Sequence, residues 1–255
     1  MKIIANEKCL NATDEMKNSF INAYPFHHIV IDNFFENDFL YHLYEKFPSH
    51  LEKKWWTYDN PLEKKLAFND ISQLDKSFKE YFDFLNSSKF ISFLEELTGL
   101  RNIIPDSSLN GGGLHQILRG GKLDIHEDFN IHRDLQAFRK INVIVYLNPK
   151  WEESFGGDLE IWDKDMVNCV KKIAPAFNRM VIFRTDMKSN HGHPHPLTCP
   201  ENTSRKSLAT YYYLKDETIN STPYKSTLYK KLPGANESPE IEELRQIRSK
   251  GRISK

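Results

Sequence analysis

Apolar residues follow two different periods along this chain. Between residues 37 and 48, and again from 74 to 97, they recur every three or four positions, and after Pro105 they fall in short runs separated by turn residues. The first period is that of helices presenting one face to a core, the second that of strands. Asn37 is placed to cap a helix whose stripe is Leu40, Leu43 and Phe47, and Pro48 stops it. From Leu74 to Leu97 the stripe returns as Phe78, Tyr81, Phe82 and Leu85, then Phe90, Phe93, Leu94 and Leu97. Asn86-Ser87-Ser88 divides it into two helices and Gly99 ends it. Upstream, residues 1–22 are polar and weakly patterned, and 24–32 read as a short strand. His27 and His28 are adjacent, so a strand would point them to opposite faces, and both are read as structural. The stretch from Trp55 to Asn69 reads as a loop.

Downstream of Pro105 the runs are β-like. Ile141–Leu147 is the strongest, β-branched and closed by Asn148-Pro149. Gly111-Gly112-Gly113, Gly120-Gly121 and Gly156-Gly157 precede others, and further runs cover 172–175, 179–184 and 207–214. Helices first and strands after predict an α+β chain with a mainly β core, a sandwich or jelly roll braced by N-terminal helices. Pattern is lost beyond Asp216 until Ser238-Pro239 opens a last helix, acids leading and bases closing. Its Ile241, Leu244 and Ile247 could dock on the body or on a partner, and the plain reading is a peripheral packing helix.

Charge narrows the possibilities. Lys and Arg number 35 and Asp and Glu 35, so the basic excess of a nucleic-acid binder is absent. Three scattered cysteines, Cys9, Cys169 and Cys199, make neither a disulfide framework nor a Cys-based zinc site. The first residues lack the apolar run of a signal peptide, and no stretch approaches the ~20 apolar residues of a membrane span. The expectation is a soluble, cytoplasmic protein with no membrane or nucleic-acid partner.

Candidate chemistry centres on Leu123-Asp124-Ile125-His126-Glu127-Asp128. On a strand His126 and Asp128 share a face and Glu127 points away, giving two corners of a metal site. Such pairs also occur by chance among surface polar residues, so a third ligand is needed. Asn190-His191-Gly192-His193-Pro194-His195 offers three histidines two apart, and strand parity permits any of them. Two imidazoles and one carboxylate on one side of a metal form the facial triad of non-haem Fe(II) oxygenases. Farther on, Arg205 and Ser207 share a face and could grip a carboxylate, the guanidinium by its fork and the hydroxyl by one more bond.

This ordered series resembles the Fe(II)/2-oxoglutarate-dependent dioxygenases, in the branch similar to prolyl 4-hydroxylases. The matching features are His126-x-Asp128, the 141–147 strand ending in Tyr146-Leu147-Asn148, Gly156-Gly157-Asp158-Leu159, the 175–183 strand pair, His191-Gly192 and Arg205-x-Ser207. The resemblance implies a double-stranded β-helix with the metal inside, a dioxygenase domain over 23–217 with its catalytic core at 110–215, an N-terminal extension over 1–22 and a tail from 218 to 255. It implies Fe(II) held by His126, Asp128 and His191, with 2-oxoglutarate as cosubstrate, its far carboxylate on Arg205 and Ser207. O2 and 2-oxoglutarate would go to succinate and CO2 as an unactivated C–H bond is hydroxylated, with ascorbate as an optional accessory. The substrate would be a prolyl or other peptide residue or a small amino-acid-like metabolite.

His193 stays the alternative distal ligand, because fourteen residues separate His191 from Arg205, longer than usual in the family. Gln116, Tyr146 and Asn142 lie on strands expected to line the barrel; Gln116 and Tyr146 are taken as further cosubstrate contacts, although half of any strand faces away. Lys122 and Arg184 read as surface residues. The segment 129–140, with His132, Arg133, Asp134 and Arg139, is expected to border the substrate mouth or simply to be solvated. Asp128 supplies a carboxylate where halogenating relatives have a small residue, which favours hydroxylation. Tyr211 stands where AlkB-type demethylases carry a second arginine, which argues against nucleic-acid substrates. Two other classes compete: a catalytically silent β-helix that binds a metal or ligand, and a cupin-like metal-dependent isomerase. Oligomeric state is left open.

Overall fold

The structure, a computed structural model, describes residues 4–52 and 54–250. In chain order its elements are α1 (Asp14–Ile21), β1 (His28–Asp32), α2 (Asn37–Glu45), β2 (Trp56–Asn60), β3 (Glu63–Phe68), α3 (Lys76–Leu85) and α4 (Ser88–Thr98). There follow β4 (Ile104–Pro105), β5 (Gly113–Ile117), β6 (Lys122–Glu127), β7 (Ile131–His132), β8 (Ala137–Tyr146), β9 (Leu159–Trp162) and β10 (Cys169–Ile173). The last are β11 (Arg179–Arg184), β12 (His191–His193), β13 (Arg205–Leu214), β14 (Leu228–Tyr229) and α5 (Pro239–Ser249).

The helical stripes act as read. The Asp75 carboxylate caps α3 by accepting from Ser77 N at 2.9 Å, Ser87 Oγ caps α4 by accepting from Phe90 N at 3.3 Å, and Gly99 closes α4 at φ 72°. Phe78, Phe82, Phe90 and Leu94 are buried, as are Leu40 and Leu43 of α2. One detail differs: Glu36, not Asn37, is the N-cap of α2, and Asn37 turns its Oδ1 to accept from Asn178 Nδ2 at 2.7 Å.

The strands join a single antiparallel sheet whose main path runs β1-β11-β8-β13-β5-β3-β6-β12-β9-β10. The sheet curls on itself as a double-stranded β-helix. Helices α2, α3 and α4 cover its outer face. There Ile141, Val143 and Val145 of β8, Met180 and Ile182 of β11, and Leu208 and Tyr212 of β13 share one core with Phe39, Leu43, Phe78 and Phe90. The aromatic supply goes chiefly here, for example Phe34 edge-on to Phe90 at 5.8 Å between centroids.

In the N-terminal region, Thr13 caps α1 by accepting from Met16 N at 3.3 Å, and Phe20 is fully buried in the main core. Two expectations change. The 55–69 stretch is a hairpin, β2–β3, whose turn is tied by Asn60 Oδ1 to Leu62 N and Glu63 N at 3.0 and 3.2 Å. Its strands hide because polarity does not track exposure there: Glu63 is buried while Trp56 is exposed, so no apolar/polar alternation marks them. Finally, α5 buries none of its residues and Ile247 is exposed. It docks through charge: Arg245 Nη2 donates to Asp124 Oδ2 at 3.0 Å and Arg248 pairs with Glu63.

Candidate active site

His126 lies on β6 and Asp128 one residue beyond its end, while β12 pairs with β6 so that His191 stands opposite His126. The two rings are 4.5 Å apart. His126 Nε2 is 3.7 Å from Asp128 Oδ1 and His191 Nε2 is 3.6 Å from Oδ2, and the three ligand atoms all lie within 4.8 Å of one another. The backbone orients both rings: His126 Nδ1 meets the Asp124 carbonyl at 2.9 Å and His191 Nδ1 the Ser189 carbonyl at 2.7 Å. Donation from Nδ1 leaves each Nε2 with its lone pair free, as a metal ligand requires. Burial first, and the neighbouring His126, push His191 down to about 4, so its imidazole is neutral near neutral pH. Gly192 permits the arrangement, because a Cβ there would lie 2.8 Å from both the Leu123 and Asp124 carbonyl oxygens.

The carboxylate is held from behind. Asn142 Nδ2 donates to Asp128 Oδ2 at 2.8 Å and Arg139 Nη2 lies 3.1 Å from the same oxygen. Arg139 Nε and Nη2 also donate to Asn142 Oδ1 at 2.9 and 2.7 Å, and the guanidinium sits 3.4 Å from the centroid of the Tyr211 ring. Burial alone would raise Asp128, but the Arg139 charge and then His191 outweigh it and hold the carboxyl well below its usual range. A β-bulge makes this triangle. The register of β13 on β8 pairs Tyr212 with Ile141 and Tyr213 with Arg139, leaving Lys140 as the extra residue. Without the bulge Arg139 would share the face of Ile141 and Val143, toward the helices. The 129–140 segment therefore is not simply a solvated loop, since Arg139 is a buried strand residue.

A cavity of about 200 Å³ runs from this cluster to Arg205. Ser207 and Tyr146 line it with Arg205. Arg205 Nε donates to the Gly157 carbonyl at 2.7 Å and Nη2 to the Tyr146 hydroxyl at 3.2 Å. Gly157, at φ 77°, leaves room for it, since a Cβ would stand 3.0 Å from Arg205 Cδ. Among the described residues no carboxylate lies within 4.0 Å of Arg205, so its buried charge has no ion-pair partner among them. Burial raises Tyr146, which keeps its proton and can donate as well.

Gln116 is a correction. It does not line the cavity; its Nε2 donates to Ser204 Oγ at 2.8 Å on the other face of β5, while its neighbours His115 and Ile117 line the site. One residue of parity separates the two readings. His191 stands with His126 and Asp128; His193 lines the cavity farther along; His195 is exposed, 3.9 Å from Glu160. Sequence reasoning missed His115, Glu63, Tyr229 and Arg248, all in the cavity wall. Tyr229 pairs in register with His126, 5.6 Å from its ring, from a tail whose sequence carries no strand signal.

Comparison with known proteins bears on this geometry. Residues 112–213 match the 2OG-Fe(II) oxygenase superfamily. That stretch is 102 of the chain's 255 residues and contains His126, Asp128, His191 and Arg205. It is 27% identical over 195 residues to the prolyl 3-hydroxylase OGFOD1 of Mus musculus, a match covering 74% of this chain and 33% of the relative. The chain thus spans about a third of the length of that curated relative. The fold is that of a Pseudomonas putida prolyl-4-hydroxylase (TM-score 0.57, 15% identity, 79% of this chain and 100% of the other). It is also that of a Trichoplax adhaerens prolyl hydroxylase in complex with a hypoxia inducible factor peptide fragment (TM-score 0.54, 20% identity, 84% and 94%). The superfamily's cofactors are Fe(II) and 2-oxoglutarate, and the donor set fits both: two imidazoles with free Nε2, a backed carboxylate, and a buried arginine facing the same cavity. Among the described residues, no helix is long and apolar enough to cross a membrane.

Proposed function

We propose that this chain is an Fe(II)- and 2-oxoglutarate-dependent hydroxylase acting on an unactivated C–H bond, with a prolyl residue of a peptide as the favoured substrate. The observation that carries the reading is one cavity holding His126, Asp128 and His191 at one end and the unpaired Arg205 at the other. His126, Asp128 and His191 would hold the metal through Nε2, a carboxylate oxygen and Nε2. Arg205, with the Tyr146 and Ser207 hydroxyls, would take the distal carboxylate of the cosubstrate by charge-assisted hydrogen bonds.

Bound Fe(II) supplies the oxygen chemistry, consuming O2 and 2-oxoglutarate to give succinate and CO2 as the substrate is hydroxylated. The chain's own tasks are placement and exclusion of water. Asn142 and Arg139 fix the orientation of Asp128, the Asp124 and Ser189 carbonyls fix the rings, and Leu159, Ile144 and Ile117 keep the cavity wall apolar. Tyr58, Phe129 and Tyr229 add aromatic surface to the cavity wall against which a substrate side chain would pack. The prolyl preference is supported by relatives named as prolyl hydroxylases; the presence of Asp128 supports hydroxylation over halogenation. The test is succinate release measured against prolyl peptides, other peptides and free amino acids. Release that depends on Fe(II), O2 and a prolyl peptide is expected; release unaffected by Fe(II) and O2 would reject the enzyme, and release stimulated only by free metabolites would reject the peptide substrate.

A further inference from the structure

The cavity wall contains a polar group that the facial triad and the arginine leave unexplained. His193 is 3% exposed, and neither Nδ1 nor Nε2 has a hydrogen-bond partner. An imidazole in either tautomer offers one donor and one acceptor, and leaving such groups buried and unpaired is costly. An aliphatic side chain would fill this place without that cost. His193 is not the third metal ligand, because His191 takes that position and only His126, Asp128 and His191 form a ligand cluster among the described residues.

Its location indicates what it serves. His193 lines the same cavity as Arg205, Tyr146 and Ser207. With Gly157, the residue whose carbonyl accepts from Arg205 Nε, it also lines a smaller second cavity. The ring is held on β12, paired through Leu123 to β6, with Pro194 following, so it belongs to the rigid wall rather than to a loop.

We infer that His193 is a second contact for the distal carboxylate of the cosubstrate, donating one hydrogen bond beside the Arg205 fork. The inference rests on the cosubstrate reading above. It explains why a polar ring occupies this part of the wall and why the carboxylate end of the cavity carries more donors than the guanidinium alone supplies. It makes His193 a determinant of preference for dicarboxylic over monocarboxylic 2-oxo acids.

The experiment measures binding, not turnover. Protein loaded with Mn(II) is titrated calorimetrically, without O2, with 2-oxoglutarate and with 2-oxobutyrate, which keeps the chelating head but lacks the distal carboxylate. His193→Leu should weaken 2-oxoglutarate about tenfold, leave 2-oxobutyrate and Mn(II) affinity unchanged, and His193→Gln should recover part of the loss. Equal weakening of both acids, or no weakening of either, overturns the inference. Arg205→Ala separates the two levels: if it too leaves 2-oxoglutarate binding unchanged, the cosubstrate reading itself falls. Should His193→Leu fail to fold, side-chain nitrogen NMR of the unaltered protein loaded with Zn(II) decides. The His193 signals should move on adding 2-oxoglutarate but not 2-oxobutyrate, and unmoved signals overturn the inference.

Discussion

Strands β8 and β13 each carry two faces that obey different rules. On one, Ile141, Val143, Val145, Leu208 and Tyr212 are buried against the helices in a core of apolar and aromatic side chains. On the other, Asn142, Tyr146, Arg205 and Ser207 are equally buried, yet they face a cavity and carry donors and charges. Burial alone does not distinguish the faces; what fills the space opposite does. The helical face is saturated by packing, so its side chains report on stability. The cavity face holds charge that the chain itself leaves partly unmatched, so its side chains report on ligands.

Asp128 gives the sharpest test of that division, because it belongs to both accounts. Asp128→Ala should abolish succinate formation, and it should also destabilise the fold by about 3–5 kcal/mol, since the buried Arg139 loses its counter-charge. His191→Ala is the control: turnover should vanish just as fully, while urea denaturation of the metal-free protein changes little. If both variants denature alike, Arg139 does not depend on Asp128 and the triangle is incidental.

On the opposite face Leu208→Ala should cost about 2–5 kcal/mol in denaturant unfolding, with metal and 2-oxoglutarate affinity of the folded fraction retained. A matching loss of cosubstrate affinity would show that the faces are mechanically coupled. Asn142→Ala should act in the reverse sense. Removing the donor to Asp128 Oδ2 should weaken metal binding about 10–100-fold, read by competition with a chelating dye, with a smaller effect on unfolding. Smallest of all, Arg248→Ala should lower stability by about 1 kcal/mol, because Glu63 keeps Lys65 at 3.2 Å as a partner. A large loss of activity in that variant would place Arg248 on the substrate rather than on Glu63.

Much of this was legible in order along the chain. The helices around Leu40–Leu43 and Phe78–Leu97 announce themselves because three or four apolar residues per two turns is a pattern that solvent-exposed segments rarely sustain. His126-x-Asp128, the histidine segment after 190 and Arg205-x-Ser207 are readable because strand parity is local: residues two apart share a face wherever the strand lies. Parity also shows its limit. It placed Arg205 with Ser207 correctly but could not say which face of β5 looks inward, and Gln116 proved to be on the outer one while His115 faces the cavity.

Residue types, their periods and their local spacing were thus determined by the sequence itself, because they depend on chain geometry over a few residues. Which residues meet across the chain was decided only by tertiary structure. The bulge at Lys140 turns Arg139 from the helical core to Asp128, β12 brings His191 opposite His126, and the tail lays Tyr229 beside the same ring. The physical reason is that register and closure of a curled sheet depend on pairings between strands far apart in the chain, and no short window carries that information.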